Sequence, residues 1–412
     1  MISGGRAARG LALLAGLVAS ALLAQEKPFV ERVEVNVRTI LVRITDRGGR
    51  TPSPAPGIQD LQILEDGRPM QVVGVDPAKP AAAGPATSTP PAKTPLDASG
   101  PTATQRSMGI PQHLYLDTMM LDPGSVARAA ATFENNLGAV LSNGPLEIVA
   151  ADPQPHQFLA ATRDPAAVRA GLDRLRHDVA AKQALLLLRR QTIDHIRNDF
   201  CVNVEMTVRS AAEQELRIIQ DSLDRLVRWA ASLGGQMPDV VYFVSDGYDV
   251  DVTETYVRVI REMGGTGGLC AGKGGDRLAQ EFPSEFGPRG GELTGAAAKS
   301  LASLGVQAVP IALGGNLADV AGDASLLSQD GYRSTQGNVP LFSRPLSPMR
   351  TIAEATGGEV VTAAANLPAA LDAYDSAYVV SFRSEHAPDG QIHSLKVASL
   401  REGLTVRSPG YM

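Results

Sequence analysis

The run Val240-Val241-Tyr242-Phe243-Val244-Ser245-Asp246-Gly247 constrains this chain more than any other stretch. Five apolar, β-prone residues in succession leave no polar face. Such a strand has to be covered on both sides, as parallel strands between layers of helices are. It breaks off in Ser-Asp-Gly, and ligands of open α/β sheets gather beyond the carboxyl ends of the strands. Asp246 is therefore the first candidate site residue. His113-Leu114-Tyr115-Leu116-Asp117-Thr118 has the same form and adds Asp117. Two carboxylates at two strand ends suggest a cation site.

The surrounding pattern alternates strands with helices, which implies a parallel sheet with helices on both faces. Asp122-Pro123, Asp164-Pro165 and Ser347-Pro348 each place a polar cap before a proline, a helix start. Strands are expected at Leu146 to Ala150, Gln157 to Ala160 and Val306 to Leu313. Two inserts lengthen this unit of residues 111–374. In 180–236 a stripe of Leu216, Ile219, Leu223, Leu226, Ala230 and Leu233 reads as a core-facing helix pair, or alternatively as a partner surface. The stretch 264–291 is glycine-rich and reads as a surface loop.

Both ends of the mature chain are β in character. Residues 28–76 read as four short strands, with a hairpin turn at Glu65-Asp66-Gly67-Arg68. Residues 375–412 read as three more. Seven strands suffice for an immunoglobulin-like sandwich in two sequence halves, with the α/β unit inserted between them. Residues 77–110, rich in Pro, Ala and Thr, read as a disordered linker.

Residues 1–24 read as a signal peptide: Arg6 and Arg9 precede an apolar stretch too short for an ordinary membrane span. The body is then expected in the periplasm, cell envelope or medium, whether the signal is cleaved or kept as an anchor. No later segment is apolar for long enough to span a bilayer. Aromatics are only 4% of the chain, so the core must be aliphatic. A net charge of −6 with no basic cluster argues against nucleic acid as a partner. The two cysteines, Cys201 and Cys270, favour one disulfide in an oxidising compartment. It would close a loop of about 70 residues and contribute ~4 kcal/mol.

Leu64-Glu65-Asp66-Gly67, Val244-Ser245-Asp246-Gly247, Ile352-Ala353-Glu354-Ala355-Thr356-Gly357-Gly358 and Pro409-Gly410-Tyr411 occur in an order that resembles the von Willebrand factor type A (VWA) family. The likeness is to its exported bacterial VWA-related members. It implies a VWA-like, Rossmann-like, doubly wound and mostly parallel sheet that binds protein partners. It also implies a metal-ion-dependent adhesion site for Mg²⁺ or a similar cation, with an Asp-x-Ser-x-Ser motif, a loop Thr and a later Asp. Asp117 and Asp246 take the two Asp positions, and Thr162 is the candidate Thr. The two Ser positions fall on Met119 and Leu121, whose side chains offer Mg²⁺ no oxygen. The site is therefore expected to be degenerate, with no cofactor.

Enzyme motifs are poorly matched. Gly267 to Gly274 approximates a phosphate loop but ends in Gly274 where Ser or Thr is needed. There is no Gly-x-Ser-x-Gly or His-Glu-x-x-His, and six scattered histidines read as surface or edge residues. The expectation is an exported, non-catalytic protein that binds or adheres through strand-end loops. The alternatives are a scaffold that uses the helical insert and an exported hydrolase without a readable motif.

Overall fold

The computed structural model describes residues 36–79, 109–122, 124–198, 203–234, 237–264, 275–313, 341–386 and 389–412. The expected signal peptide, most of the linker, and both Cys201 and Cys270 lie outside these residues.

Strands β1 (Val37–Asp46), β2 (Leu61–Glu65) and β3 (Arg68–Pro77) join β9 (Ala377–Arg383), β10 (Leu395–Ser399) and β11 (Leu404–Arg407) in one antiparallel sheet, ordered β10-β2-β3-β9-β1-β11. The expected two-layer sandwich is thus replaced by a single sheet. Val37–Asp46 is one unbroken strand, although the apolar alternation changes phase between Val37 and Ile40. The two edge strands, β10 and β11, lie in contact with one another, so the sheet curls and packs its concave face on itself. Ile40, Val42, Ile44, Ile63, Tyr378, Val380 and Phe382 fill that face. Leu41 and Val379 point the other way, into the core of the α/β unit.

The α/β unit has five strands: β4 (Gln112–Asp117), β5 (Leu146–Ala151), β6 (Pro155–Thr162), β7 (Asp239–Val244) and β8 (Val306–Ile311), ordered β6-β5-β4-β7-β8. All pairings are parallel except that of β6. Counted in order of appearance this is 3-2-1-4-5, the doubly wound order, and a parallel rung between Ile311 and Val361 marks a sixth position. Strands β4, β5, β7 and β8 bury both faces, whereas the edge strand β6 buries neither. Leu114, Leu116, Tyr242, Val244 and Ile311 face α1 (Ser125–Asn135), α2 (Leu137–Asn143) and α3 (Pro165–Asp178). Tyr115, Val241 and Phe243 face the opposite layer, built from α4 (Ala184–Asn198), α5 (Val204–Ala231), α6 (Glu254–Gly264) and α7 (Gly275–Ser303). Two further helices, α8 (Ser347–Thr356) and α9 (Leu367–Asp372), complete the unit. The turn after α8 is closed by Gly357 at φ +77°.

The stripe on α5 is core: Leu216, Ile219, Leu223, Leu226 and Ala230 are all buried. The partner-surface reading of that stripe therefore falls away. The glycine-rich stretch is not a loop from residue 275 onward but the first half of α7, despite Pro283 and Pro288. Packing overrides propensity here, because Phe282 and Phe286 are fully buried. Gly290 is needed for that packing: a Cβ there would stand 2.2 Å from the Val250 carbonyl oxygen.

Candidate functional site

The chain reverses direction across the sheet between β4 and β7, so the crevice at their carboxyl ends is the topological switch point. Asp117 ends β4, and Asp246 follows β7 by two residues. The two strands are paired neighbours. The pleat then separates the two carboxylates. Asp117 shares a face with Tyr115, toward α5, whereas Asp246 continues the face of Tyr242 and Val244, toward α1.

Asp117 is fully buried. It accepts a hydrogen bond from Met119 N at 3.0 Å and another from the Ser222 hydroxyl. The Arg225 guanidinium lies 3.3 Å from both of its carboxylate oxygens. Ser222 and Arg225 are neighbours on α5, one turn apart. Burial pushes the Asp117 carboxyl up, and the charge of Arg225 and the Ser222 bond pull it back.

Asp246 sits in a separate cluster. Asp122 N donates to it at 2.5 Å, and Ser125 Oγ lies 2.7 and 2.9 Å from its two oxygens. Arg128 closes the group, with Nη2 2.6 Å from Asp122 Oδ1 and 3.0 Å from Ser125 Oγ. Asp122 Oδ1 also accepts from Gly124 N at 2.8 Å, so this residue shapes the entry to α1. Burial, with the neighbouring Asp122 charge, raises the Asp246 carboxyl to about 6. The turn that carries it depends on Gly247, at φ +78°, where a Cβ would meet the Pro345 carbonyl oxygen at 2.1 Å.

Thr162 belongs to neither cluster. It pairs with Leu146, at the start of β5, while Asp117 pairs with Ala151 at its end. Five strand residues, roughly 16 Å, separate those two levels. Thr162 Oγ1 instead accepts from Asp164 N at 3.1 Å, beside the cap of α3. The error arose because β6 runs antiparallel and returns its last residue to the opposite end of the sheet.

The donor set does not fit a hard cation. Such an ion needs several oxygens around one point. Here the two carboxylates diverge, Met119 and Leu121 supply no oxygen, and a guanidinium already faces Asp117. Ser125, Ser222 and Arg225 are the residues that hold the two aspartates. Ser125 is noticeable in the sequence beside Asp122, near Asp117, whereas nothing local marks Ser222 and Arg225.

A third buried charge group ties the helical layer to the strand ends. Arg189 is fully buried and lies 2.8 Å from Glu215 and 2.6 Å from Asp249. It also donates to Leu341 O at 2.6 Å and stacks on Phe342, 4.5 Å from the ring centroid. Beside Asp246, a shallow recess of about 20 Å³ is lined in part by Met119, Leu121, Leu186 and Phe342.

No family model matches the chain, and no curated protein matches it. Its fold is similar to several solved structures. BatB, a conserved hypothetical protein from Bacteroides thetaiotaomicron, is 13% identical over 64% of this chain and 97% of its own, with a TM-score of 0.32. The manganese-loaded TRAP protein of Plasmodium vivax is 10% identical over 74% of this chain and 94% of its own, with a TM-score of 0.28. The human COPII-coat protein Sec24c is 8% identical over 74% of this chain and 44% of its own, with a TM-score of 0.27. Likenesses this low decide neither family nor activity. Among the described residues no helix is long and apolar enough to cross a membrane.

Proposed function

We propose that this chain is an exported, non-catalytic, VWA-like protein that binds a protein partner through the loops at the β4 and β7 strand ends, without a bridging metal. What carries the reading is the state of the switch point. Its two carboxylates are held by donors of the chain itself, and the apolar recess beside them is smaller than an ordinary small-molecule pocket. A recess of about 20 Å³ is a dimple and not a pocket, so recognition would fall on the surrounding loop surface. The order of the sequence motifs and the 3-2-1-4-5 sheet support the VWA-like description. The residues the site now rests on are Asp117, Asp122, Ser125, Arg128 and Asp246.

Photo-crosslinking tests it. A photoreactive residue replacing Met119 or Gln183, beside the recess, should capture a partner from an extract of the source envelope. One replacing Arg217, on the exposed side of α5, should not. Met119→Glu should abolish capture from position 183. Capture from position 217 alone would replace this reading with the scaffold.

One observation favours a hydrolase as the second reading: a carboxyl raised to about 6 is suited to proton transfer near neutral pH. Turnover of an ester or peptide by the wild type, lost in Asp246→Asn, would establish it.

A further inference from the structure

At one end of the antiparallel sheet three passes of the chain converge. Strand β2 ends at Glu65, and the hairpin turn follows through Asp66 at φ 49° and Gly67 at φ 79°. Beyond β9 the chain reaches His386, and it returns through Asp389 and His393 into β10. The result is a cluster of two imidazoles and three carboxylates.

Glu65 is fully buried and accepts from Ser384 Oγ at 2.9 and 3.0 Å. His393 is buried too, with Nδ1 2.7 Å from Asp66 Oδ2 and Nε2 3.2 Å from Asp389 Oδ1. The His386 ring stacks on it, with centroids 4.1 Å apart and planes at 17°. The backbone of His386 is fixed from both sides: Asn36 Nδ2 donates to its carbonyl at 2.6 Å, and its N–H donates to Ser384 Oγ at 3.2 Å. Its side chain is not so provided for. His386 Nε2 is buried and has no hydrogen-bond partner among the described residues; Asp66 Oδ2 stands 3.8 Å away.

A buried imidazole nitrogen left without a partner costs the chain the solvation it gave up. One ligand atom from each of Glu65, His386 and His393 lies within 4.8 Å of the others. Tetrahedral coordination at about 2.0–2.2 Å would bring such atoms to roughly 3.3–3.6 Å, a closure of at most about 1.5 Å for any pair. Two nitrogens and a carboxylate suit a borderline cation, whereas Mg²⁺ favours an all-oxygen shell that keeps its waters. Histidines that bind metals usually give their other ring nitrogen to a carboxylate; with Asp66 on one side of His393 and Asp389 on the other, whichever nitrogen is released to the metal, the opposite one keeps such a partner.

We propose that Glu65, His386 and His393 hold a Zn²⁺-class divalent cation, one of Asp66 and Asp389 giving up its His393 ring nitrogen to the metal while the other orients the ring. The site pins the β9–β10 connection to the β2–β3 turn, two segments more than 300 residues apart in sequence. It is independent of the strand-end reading, because it lies in the other sheet.

The full chain, stripped with EDTA and desalted, is titrated with ZnCl₂ by calorimetry near pH 7.5, with MgCl₂ in parallel. The expected result is one saturable Zn²⁺ site, no Mg²⁺ heat, and a raised melting temperature with Zn²⁺ alone. Co²⁺ should give the visible bands of a four-coordinate site. His386→Ala and His393→Ala should each weaken Zn²⁺ binding at least roughly 100-fold, since loss of an orienting partner alone costs 10–100-fold. If His393→Ala fails to fold, His386→Ala decides, because it removes only a half-buried ring. The Cys201→Ser, Cys270→Ser double variant should bind as the wild type does. Absence of a one-to-one Zn²⁺ isotherm, or unchanged binding in His386→Ala, overturns the proposal.

Discussion

Two ends of two sheets in this chain gather carboxylates, and they differ in the cations set beside them and in what is left without a partner. At the carboxyl ends of β4 and β7, Asp117 and Asp246 are buried, and each is supplied with donors: Ser222, Arg225 and Met119 N for one, Ser125 and Asp122 N for the other. At the end of the antiparallel sheet, Glu65, Asp66 and Asp389 face two histidines, and one ring nitrogen is left over. Residue type alone would rank the first place as the metal site, from its two strand-end aspartates. Geometry ranks the second higher. A guanidinium beside Asp117 repels a cation, while Glu65 carries only the Ser384 hydroxyl and an imidazole nitrogen without a partner stands near it.

This contrast can be broken at Arg225. Arg225→Met leaves the buried Asp117 charge uncompensated, and removing one partner of a buried pair costs about 3–5 kcal/mol. Urea unfolding should show that loss. A variant as stable as the wild type would mean that Arg225 does not hold Asp117, and the cation reading of that end would reopen.

Asp246 sharpens the contrast through pH. Its pKa is higher folded, about 6, than the ordinary 3.8. The folded state therefore binds more protons than the unfolded state between these values. The stability this group contributes is full below about pH 4, falls as pH rises to about 6, and is flat above. The span corresponds to on the order of 2–3 kcal/mol. Subtracting the stability profile of Asp246→Asn from that of the wild type should isolate this slope. A difference profile that instead rises with pH would refute the burial argument.

The smallest effect is expected at Thr162. Its side chain caps a turn at the far end of the sheet, so Thr162→Ala should change stability by less than ~0.5 kcal/mol and leave partner capture untouched. Loss of capture would place the binding surface at the wrong end of the molecule.

Much of the α/β unit was legible because its signals are local. Continuous apolar runs at 114–116 and 240–244 forced two-sided burial, and Asp164-Pro165 and Ser347-Pro348 marked the starts of α3 and α8. The α7 helix was misread because glycine and proline content speaks for a loop. Phe282 and Phe286 overrule it only once a core exists to bury them. The β segments were identified as strands, but nothing local distinguishes a two-layer sandwich from one curled sheet. That is decided by whether the edges β10 and β11 meet.

The sequence by itself determined the alternation of buried strands and capped helices, and the placing of Asp117 and Asp246 at strand ends. Both follow from period and neighbouring residue type, which act over a few positions. Only the tertiary structure decided which way those carboxylates point, that α5 brings Ser222 and Arg225 to one of them, and that His386 and His393 meet Glu65 across the chain. These depend on strand register and direction. A side chain's partner is chosen by what the fold sets opposite it, often hundreds of residues away, and no local pattern encodes that.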